Sequence, residues 1–205
     1  MKKTKQIVSL LSNTLVLSAG IAGITLLAFG AAPEGWFLAG SKPANYDTGI
    51  DSKAYFNDYP SAYLKSTVEH PEGFGTLMQQ FSASAYAGKR IRYSAYVQSQ
   101  EVAGWAGLWM RVDGPMGGNN QAPVLAFDNM QNRPIKGSTG WQRYEIVLDV
   151  PDTASGIGMG ILLTGNGSVW LNGNRIEVVP QSVPTTSPSP GTRPDGPRNL
   201  SFQNR

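Results

Sequence analysis

Residues 105–113 read Trp-Ala-Gly-Leu-Trp-Met-Arg-Val-Asp, and this stretch is the clearest guide to how the chain folds. In a β-strand, successive side chains point to opposite faces of the sheet. One face of this stretch then carries the apolar residues Ala106, Leu108, Met110 and Val112. The other face carries Trp105, Gly107, Trp109, Arg111 and Asp113. The first set is typical of a buried core, and the second is the candidate functional face.

The candidate face combines two indoles with a guanidinium and a carboxylate. Flat apolar rings beside directional hydrogen-bonding groups suit polar molecules that also have apolar faces, such as sugars. The same pattern also fits a strand buried on both sides, in which Arg111 and Asp113 form an ion pair and bind no ligand. The two interpretations differ in whether the rings face an accessible hollow.

The middle of the chain consists of short β-prone runs separated by turn residues, in a sequence with 24 glycines and 14 prolines. We predict strands over residues 35–40, 46–50, 61–68, 75–81, 91–99, 105–113, 124–128, 141–150, 156–164 and 168–179. This spacing predicts an all-β fold, an antiparallel β-sandwich of two layers. Short helical turns are predicted at 52–56 and 83–87. The turn sequence Thr164-Gly-Asn-Gly167 predicts a hairpin between the last two strands.

The first 32 residues have the composition of a targeting segment. An uncharged run from Gln6 to Pro33 follows three lysines at positions 2, 3 and 5, which predicts an apolar helix that serves as a signal peptide or a membrane anchor. The sequence Ala28-Phe29-Gly30 fits a cleavage site, whereas the length of the run approaches the roughly 20 residues that span a bilayer. The lysines should stay cytoplasmic. Either outcome predicts a domain that is exported and is periplasmic, secreted or membrane-anchored.

The chain beyond the last predicted strand changes composition. Residues 181–205 are rich in Pro, Ser and Thr and lack the apolar residues that would offset the entropy of ordering, so we predict a disordered tail. Residues 33–180 remain as the β-sandwich domain.

Charge and residue usage exclude several classes of function. Between Pro33 and Pro180, 11 basic residues face 13 acidic ones, so the domain lacks the positive surface that a nucleic-acid partner needs. The absence of cysteine excludes disulfides and thiol catalysis. The single histidine, His70, lies in a Glu-His-Pro-Glu turn, where a solvated loop residue is the simpler interpretation than a base or metal ligand.

Three segments of the chain have distinctive motifs: Ala87-Gly-Lys-Arg-Ile-Arg-Tyr-Ser-Ala-Tyr-Val97, Gly140-Trp-Gln-Arg-Tyr-Glu-Ile-Val-Leu-Asp-Val-Pro151 and Gly167-Ser-Val-Trp-Leu-Asn-Gly-Asn-Arg-Ile-Glu177. They resemble the galactose-binding-like jelly rolls of many carbohydrate-binding modules. Residues 35–41, 73–79, 104–114 and 125–131 more closely resemble the accessory domain of some bacterial AraC-like transcriptional regulators. The resemblance spans most of Glu34 to Val179 and implies a jelly-roll fold. It implies no DNA binding, because the helix-turn-helix part of those regulators has no counterpart in this sequence.

The resemblance also bears on metal binding. The last strand of those jelly rolls commonly reads Trp-Leu-Asp-Asp, whose carboxylate can serve a structural calcium ion, but here Asn172 and Gly173 take the place of the two acids. An amide oxygen is a poorer calcium ligand than a carboxylate. We therefore predict no cofactor and no metal, and a structural calcium ion lacks support.

Further binding residues are expected near the candidate face. Arg92 and Tyr96 would share its surface from a neighbouring strand, and Asp128 and Gln131 lie in the loop after a strand, where binding groups collect. Asp128 would then hydrogen-bond ring hydroxyls together with the charged residues of the candidate face. The alternative for Asp128 is a turn held by Asx hydrogen bonds. The remaining tryptophans are predicted to be structural: Trp36, Trp141 and Trp170.

These observations predict noncatalytic recognition of a glycan or similar polar ligand. One alternative is a structural or interaction module that binds a cell-envelope protein and no small ligand. A third is a glycan-active enzyme that uses two of Glu101, Asp113 and Asp128, since glycosidases act with a pair of carboxylates. We predict no catalysis, no nucleic-acid partner, and contact with the membrane through the N-terminal segment if it is not cleaved.

Overall fold

The computed structural model of the protein describes residues 30–118 and 120–187. These residues form one short 3-10 helix, Pro43–Asn45, and nine β-strands. The strands are β1 Phe37–Gly40, β2 Tyr46–Phe56, β3 Tyr59–Ser66, β4 Phe74–Ser82, β5 Arg90–Asp113, β6 Val124–Asp128, β7 Ile135–Asp149, β8 Gly156–Thr164 and β9 Ser168–Val179. The predicted apolar helix and most of the predicted tail lie outside the described residues. Among the residues described, none belongs to a helix that is long and apolar enough to cross a bilayer.

Strand β5 organises the sheet. It is 24 residues long, and its pairing becomes irregular between Ser99 and Ala106. The first half of β5 pairs with β7 and β9, and the second half pairs with β6 and β8. We call β1, β4, β8, the second half of β5 and β6 the β4–β8 half. We call β2, β3, β9, the first half of β5 and β7 the β3–β9 half. All pairings are antiparallel. Because β5 belongs to both halves, the two halves form one curled sheet.

One core lies between the two halves. The four apolar residues of the 105–113 stretch are fully buried, and they cluster with side chains from β2, β3, β4, β7, β8 and β9. Gly75 of β4 faces the ring of Tyr46 on β2 so closely that a Cβ atom there would lie 2.5 Å from the ring. The halves therefore pack face to face. The all-β antiparallel prediction is confirmed, and this arrangement is consistent with a sandwich.

Some predicted elements differ from the structure. The predicted strands 91–99 and 105–113 are the two halves of β5. The predicted helical turn at 52–56 is wrong, because these residues continue β2 through an irregularity between Asp51 and Tyr55. A tight turn at Asn57 and Asp58, both with positive φ, returns the chain so that Phe56 pairs with Tyr59. At 83–87 the chain does turn, with the Tyr86 N–H donating to the Ala83 carbonyl.

The predicted hairpin at 164–167 is also wrong. The turn is present, but β8 and β9 do not pair with each other, because both lie along the same edge of β5. Thr164 pairs with Trp105 in one half, and Ser168 pairs with Gln100 in the other. The turn therefore carries the chain from one half of the sheet to the other, beside the irregular part of β5. Glu101 has a positive φ there, and the register shifts are typical of β-bulges, which bend a strand; we call this segment the bend of β5.

Residues 181–187, which follow the predicted domain boundary at Pro180, form hydrogen bonds with the domain. The N–H of Thr186 donates to the carbonyl of Val147 at 2.9 Å, and the N–H of Val147 donates to Oγ1 of Thr186 at 2.9 Å. Ser187 Oγ donates to the carbonyl of Phe127 at 2.9 Å. Residues 181–187 thus lie against β7 and the end of β6, whose outer backbone groups supply the partners.

Candidate functional site

The site lies on the outer face of the β4–β8 half, where a groove of about 540 Å³ is lined by residues of all five strands, β1, β4, β8, β5 and β6. Strand pairing arranges its side chains in rows. The first row holds Phe74, Thr164 and Trp105, which are register partners. The last row holds Gln80, Gly158 and Arg111, and Phe127 pairs with Arg111 from β6. Phe74 and Gln80 are six residue steps apart along β4, so the first and last rows are roughly 20 Å apart.

Trp109 forms part of the groove floor. Its side chain is almost buried, with 8% of its surface exposed. The indole N–H donates to Oγ1 of Thr76 at 2.7 Å, and that hydroxyl donates to the carbonyl of Ile161 at 2.8 Å. The ring lies against Gly158, where an added Cβ atom would be 3.3 Å from two ring carbons. The indole is therefore held in place before any ligand arrives.

Trp105 is more open and lines the first row of the groove. Its ring lies beside Gly107, whose added Cβ would be 3.5 Å from the indole. Its backbone N–H donates to Oγ1 of Thr164 at 3.3 Å, and this hydroxyl donates to the Trp105 carbonyl at 3.4 Å. The backbone around Trp105 thus occupies the one hydroxyl group of this row.

Arg111 is the charged side chain that lines the groove, and Asp113 forms an ion pair with its guanidinium. The Nε of Arg111 donates to Oδ2 of Asp113 at 3.1 Å, and its distance to Oδ1 is 3.0 Å. The Arg111 side chain is 39% exposed and lines the groove, whereas that of Asp113 is 15% exposed and faces a smaller depression beside Ser155. The ion pair of the alternative interpretation is present, and it orients a guanidinium that remains accessible in the groove.

The structure separates Arg92 and Tyr96 from this groove, contrary to the expectation that they share its surface. Both lie on the first half of β5. Tyr96 stacks on Phe56 with ring centroids 4.2 Å apart. Nε of Arg92 lies 3.4 Å from Oε2 of Glu145. The irregular pairing between Ser99 and Ala106 explains the difference, because even-numbered residues face outward before it and odd-numbered residues after it.

Asp128 adopts the turn role that was the alternative for it. Its side chain is 4% exposed, and its carboxylate accepts hydrogen bonds from Arg133 at 2.6 Å and from the N–H of Met130 at 2.9 Å. Burial alone would raise the pKa of Asp128, but the hydrogen bonds from Arg133, Thr186 and Met130 outweigh it and hold that pKa below its ordinary value. Gln131 is exposed beside a separate depression next to Phe127. Neither Asp128 nor Gln131 lines the groove.

Several groove residues did not emerge from the sequence pattern of 105–113. They come from neighbouring strands and the loop after β6: Phe74, Thr76, Met78, Gln80, Phe127, Asn129 and Leu162. A signal for part of this set was present, because alternate residues of β4 carry Phe, Thr, Met and Gln. The sequence did not indicate that β4 and β5 flank the same strand, β8.

The remaining tryptophans lie elsewhere. Trp36 packs against the core, and the indole N–H of Trp170 donates to Oδ2 of Asp51 at 2.9 Å. The ring centroid of Trp141 lies 5.2 Å from that of Phe56 on the β3–β9 half. In none of these places does the indole line the groove.

Asn172 is the residue at which the sequence departs from the Trp-Leu-Asp-Asp pattern of the jelly rolls that it resembles. Its side-chain oxygen accepts the N–H of Gly173 at 2.7 Å, and its amide nitrogen donates to the carbonyls of Tyr59 and Pro60. Within residues 30–118 and 120–187, no three side chains of His, Cys, Asp or Glu cluster in a way that could hold a metal ion.

Comparisons with known proteins give one curated relative and a set of distant structures. No family model matches the chain. The relative is "Uncharacterized HTH-type transcriptional regulator YbfP" of Bacillus subtilis (strain 168), which is 45% identical over 172 residues. The match covers 83% of this chain and 57% of the relative, so the chain spans little more than half of that protein.

The structural matches are far more distant in sequence. The enzymatically active domain of bacteriophage CBA120 tailspike protein 4 matches with a TM-score of 0.51 and 12% identity, over 71% of this chain and 20% of that chain. The CBM22-1 xylan-binding domain of Paenibacillus barcinonensis Xyn10C matches with a TM-score of 0.49 and 14% identity, over 72% of this chain and 88% of that chain. The tailspike match shows a shared fold and nothing about activity.

Proposed function

We propose that this protein is a noncatalytic module of jelly-roll type that binds a glycan, or a similar polar ligand, in the groove of the β4–β8 half. One observation carries the proposal. Trp105, Trp109 and Arg111 project from the same face of β5 into a single groove that is open to solvent. The rings offer apolar surface for a sugar face, and the guanidinium offers directional donors for hydroxyl groups.

Two phenylalanines extend the apolar surface at the ends of the groove. Phe74 is 37% exposed in the first row, and Phe127 is 42% exposed beside the last row. Contiguous exposed apolar surface marks interaction sites, and these two rings continue the surface that Trp105 and Trp109 begin. Because Arg111 and Trp109 are already held by Asp113 and Thr76, little ordering is needed when a ligand binds, which favours recognition.

The positions of the acidic residues support binding over catalysis. A glycosidase needs two carboxyl groups about 5 to 9.5 Å apart across the scissile bond. Asp113 is paired with Arg111, Asp128 is buried against Arg133, and Glu101 lies at the bend of β5 beside a different depression. None of these three acids lines the groove.

The curated relative suggests how the module is used. That protein is named as an HTH-type transcriptional regulator, and we propose that the part shared with this chain is a ligand-binding accessory domain. In this chain the domain follows the apolar N-terminal run, and we propose that the run exports or anchors it. The groove would then meet glycans outside the cytoplasm. A role in DNA binding is not part of the proposal.

A glycan-array screen of the full chain tests the proposal. The expected result is binding to a limited set of saccharides that Trp105→Ala and Arg111→Gln each weaken at least about tenfold, since each removes a groove contact. Trp141→Ala is the matched control, because this indole lies outside the groove and should leave binding unchanged. Absence of any saccharide ligand, together with capture of an envelope protein that both groove variants retain, would favour the protein-interaction alternative instead.

A further inference from the structure

The groove is uneven in polarity along its length. Three of its polar side chains already have partners within the protein. The hydroxyl of Thr76 bonds Trp109 and Ile161, that of Thr164 bonds the backbone of Trp105, and the side-chain oxygen of Asn129 accepts the N–H of Gln131. These groups have less capacity to meet the hydroxyls of a ligand.

The accessible polar groups concentrate in the last row, where the exposed ring of Phe127 lies beside them and can cover one face of a sugar. Arg111 is the single charged side chain that lines the groove among the residues described, and Gln80 is its exposed neighbour across Gly158. Asp113 holds Nε of Arg111 at this end. A hydroxyl-rich group is therefore best matched here, where donors and an amide oxygen meet it.

The opposite end is apolar. The second row holds Leu162 between Thr76 and Gly107, and the first row adds the rings of Phe74 and Trp105. Apart from the occupied Thr164 hydroxyl, the side-chain polar group of the first row is the indole N–H of Trp105. Sugar hydroxyls buried here would lose water without gaining matching partners, which disfavours binding. An apolar group would instead gain from leaving water.

We propose that the natural ligand is amphipathic: a saccharide that carries an apolar substituent, as in a glycolipid or an alkyl glycoside. Its sugar contacts Arg111 and Gln80, and its apolar group lies over Leu162, Trp105 and Phe74. This inference rests on the proposed glycan recognition and specifies the class of glycan. The groove volume of about 540 Å³ falls within the range of small-molecule sites, and its length accommodates both parts of such a ligand.

Isothermal titration of the full chain with methyl, butyl and hexyl β-glycosides tests the inference. Glucose, galactose and N-acetylglucosamine supply the sugar in three parallel series. For a sugar that binds, affinity should rise about fourfold for each methylene that enters the apolar end. Free hexanol should bind far more weakly than the hexyl glycoside, because it lacks the group that Arg111 and Gln80 contact.

Two variants should separate the ends of the groove. Leu162→Asn should remove the dependence on alkyl length and leave the methyl glycoside unchanged. Arg111→Gln should weaken every member of a series by the same factor and leave the alkyl dependence intact. Val178→Asn and Arg143→Gln are the matched controls, because both side chains lie outside the groove, and circular dichroism of each variant checks that the fold persists.

The outcomes distinguish this inference from the proposed function. Equal affinity for methyl and hexyl glycosides would overturn the amphipathic ligand while leaving glycan recognition in place. Equal affinity for hexanol and the hexyl glycoside would overturn glycan recognition, because the sugar would then contribute nothing. Failure of every glycoside and of the glycan array would overturn both. An alkyl dependence that Leu162→Asn leaves unchanged would also overturn the inference.

Discussion

At the scale of single residues, small neighbours decide where the groove tryptophans lie. Trp109 rests on Gly158 and bonds Thr76, so its position depends on a missing side chain and a single hydroxyl. Asp113 plays a comparable part for Arg111, because it orients the guanidinium from outside the groove. These neighbours are positioning residues. Substituting one of them should change the position of Trp109 or Arg111 without removing a side chain that contacts the ligand.

Gly158→Ala should displace the indole of Trp109. The new Cβ would lie 3.3 Å from two ring carbons, so the ring must shift by a few tenths of an ångström. We expect a change in the near-ultraviolet circular dichroism of tryptophan and a several-fold loss of glycan affinity. Gly156→Ala is the control on the same strand, because the nearest atom to its added Cβ is 4.0 Å away. Equal spectra for the two variants would contradict this account of the groove floor.

Asp128→Asn should make stability less dependent on acid pH. Because the folded protein holds the pKa of Asp128 below its ordinary value of 3.8, the carboxylate stabilises the fold above that value and loses its contribution as pH falls through the lower folded pKa. At pH 7 the variant should be less stable by about 2 kcal/mol, since charged hydrogen bonds to Arg133 are weakened.

Urea unfolding at pH 7 and at pH 2.5 measures this difference. The gap in unfolding free energy between the Asp128 variant and the unaltered protein should shrink at the lower pH, where the native carboxyl group is also becoming protonated. Asp58→Asn, at an exposed turn, provides the comparison. A gap that stays constant between the two pH values would refute the linkage.

At the scale of elements, the bend of β5 determines how the two halves of the sheet are connected. A straight strand of this length would extend one flat sheet, whereas the irregular pairing between Ser99 and Ala106 lets one strand serve both halves. The same irregularity changes which residues face outward. It therefore places Trp105 and Trp109 in the groove and leaves Tyr96 in a separate aromatic cluster with Phe56.

Gly104→Ala tests the close approach of β5 and β8 at this bend. A Cβ atom at Gly104 would collide with the carbonyl oxygen of Thr164, which belongs to the backbone and has little room to move. We expect a loss of about 1 to 3 kcal/mol in unfolding free energy, which is typical of overpacking. Gly140→Ala, with open space around its added Cβ, should have a much smaller effect. Denaturant unfolding that shows equal losses would argue against a tight bend.

At the scale of the whole molecule, residues that the sequence assigned to the two flanking segments form hydrogen bonds with the β-strands. The N–H of Gly30 donates to the buried carboxylate of Asp47 at 3.0 Å, inside the segment assigned to targeting. At the other end, Thr186 forms two hydrogen bonds with Val147 on the outer edge of β7. Gly30 and Thr186 therefore both contact the β-strands, although the sequence assigned them to the flanking segments.

Truncation tests the role of the C-terminal part of this unit. A protein that ends at Pro180 should be less stable than one that ends at Ser187 by about 1 to 2 kcal/mol, because the two hydrogen bonds of Thr186 are lost. The shorter protein should also expose the edge of β7 and associate more readily. Thermal unfolding and light scattering measure these effects. Equal melting temperatures for the two truncations would show that residues 181–187 contribute nothing.

The sequence by itself determined the class of fold and the two faces of residues 105–113. Side-chain direction along a strand is a local property, so alternation alone separated Leu108 and Met110 from Trp109 and Arg111. Only the tertiary structure decided which strands lie beside β5 and where its register changes. Pairing joins residues far apart in the chain, such as Gln80 and Arg111 on either side of Gly158, and no local pattern specifies such partners. For that reason the candidate face was predicted, whereas the walls of the groove and the separation of Arg92 and Tyr96 from it were not.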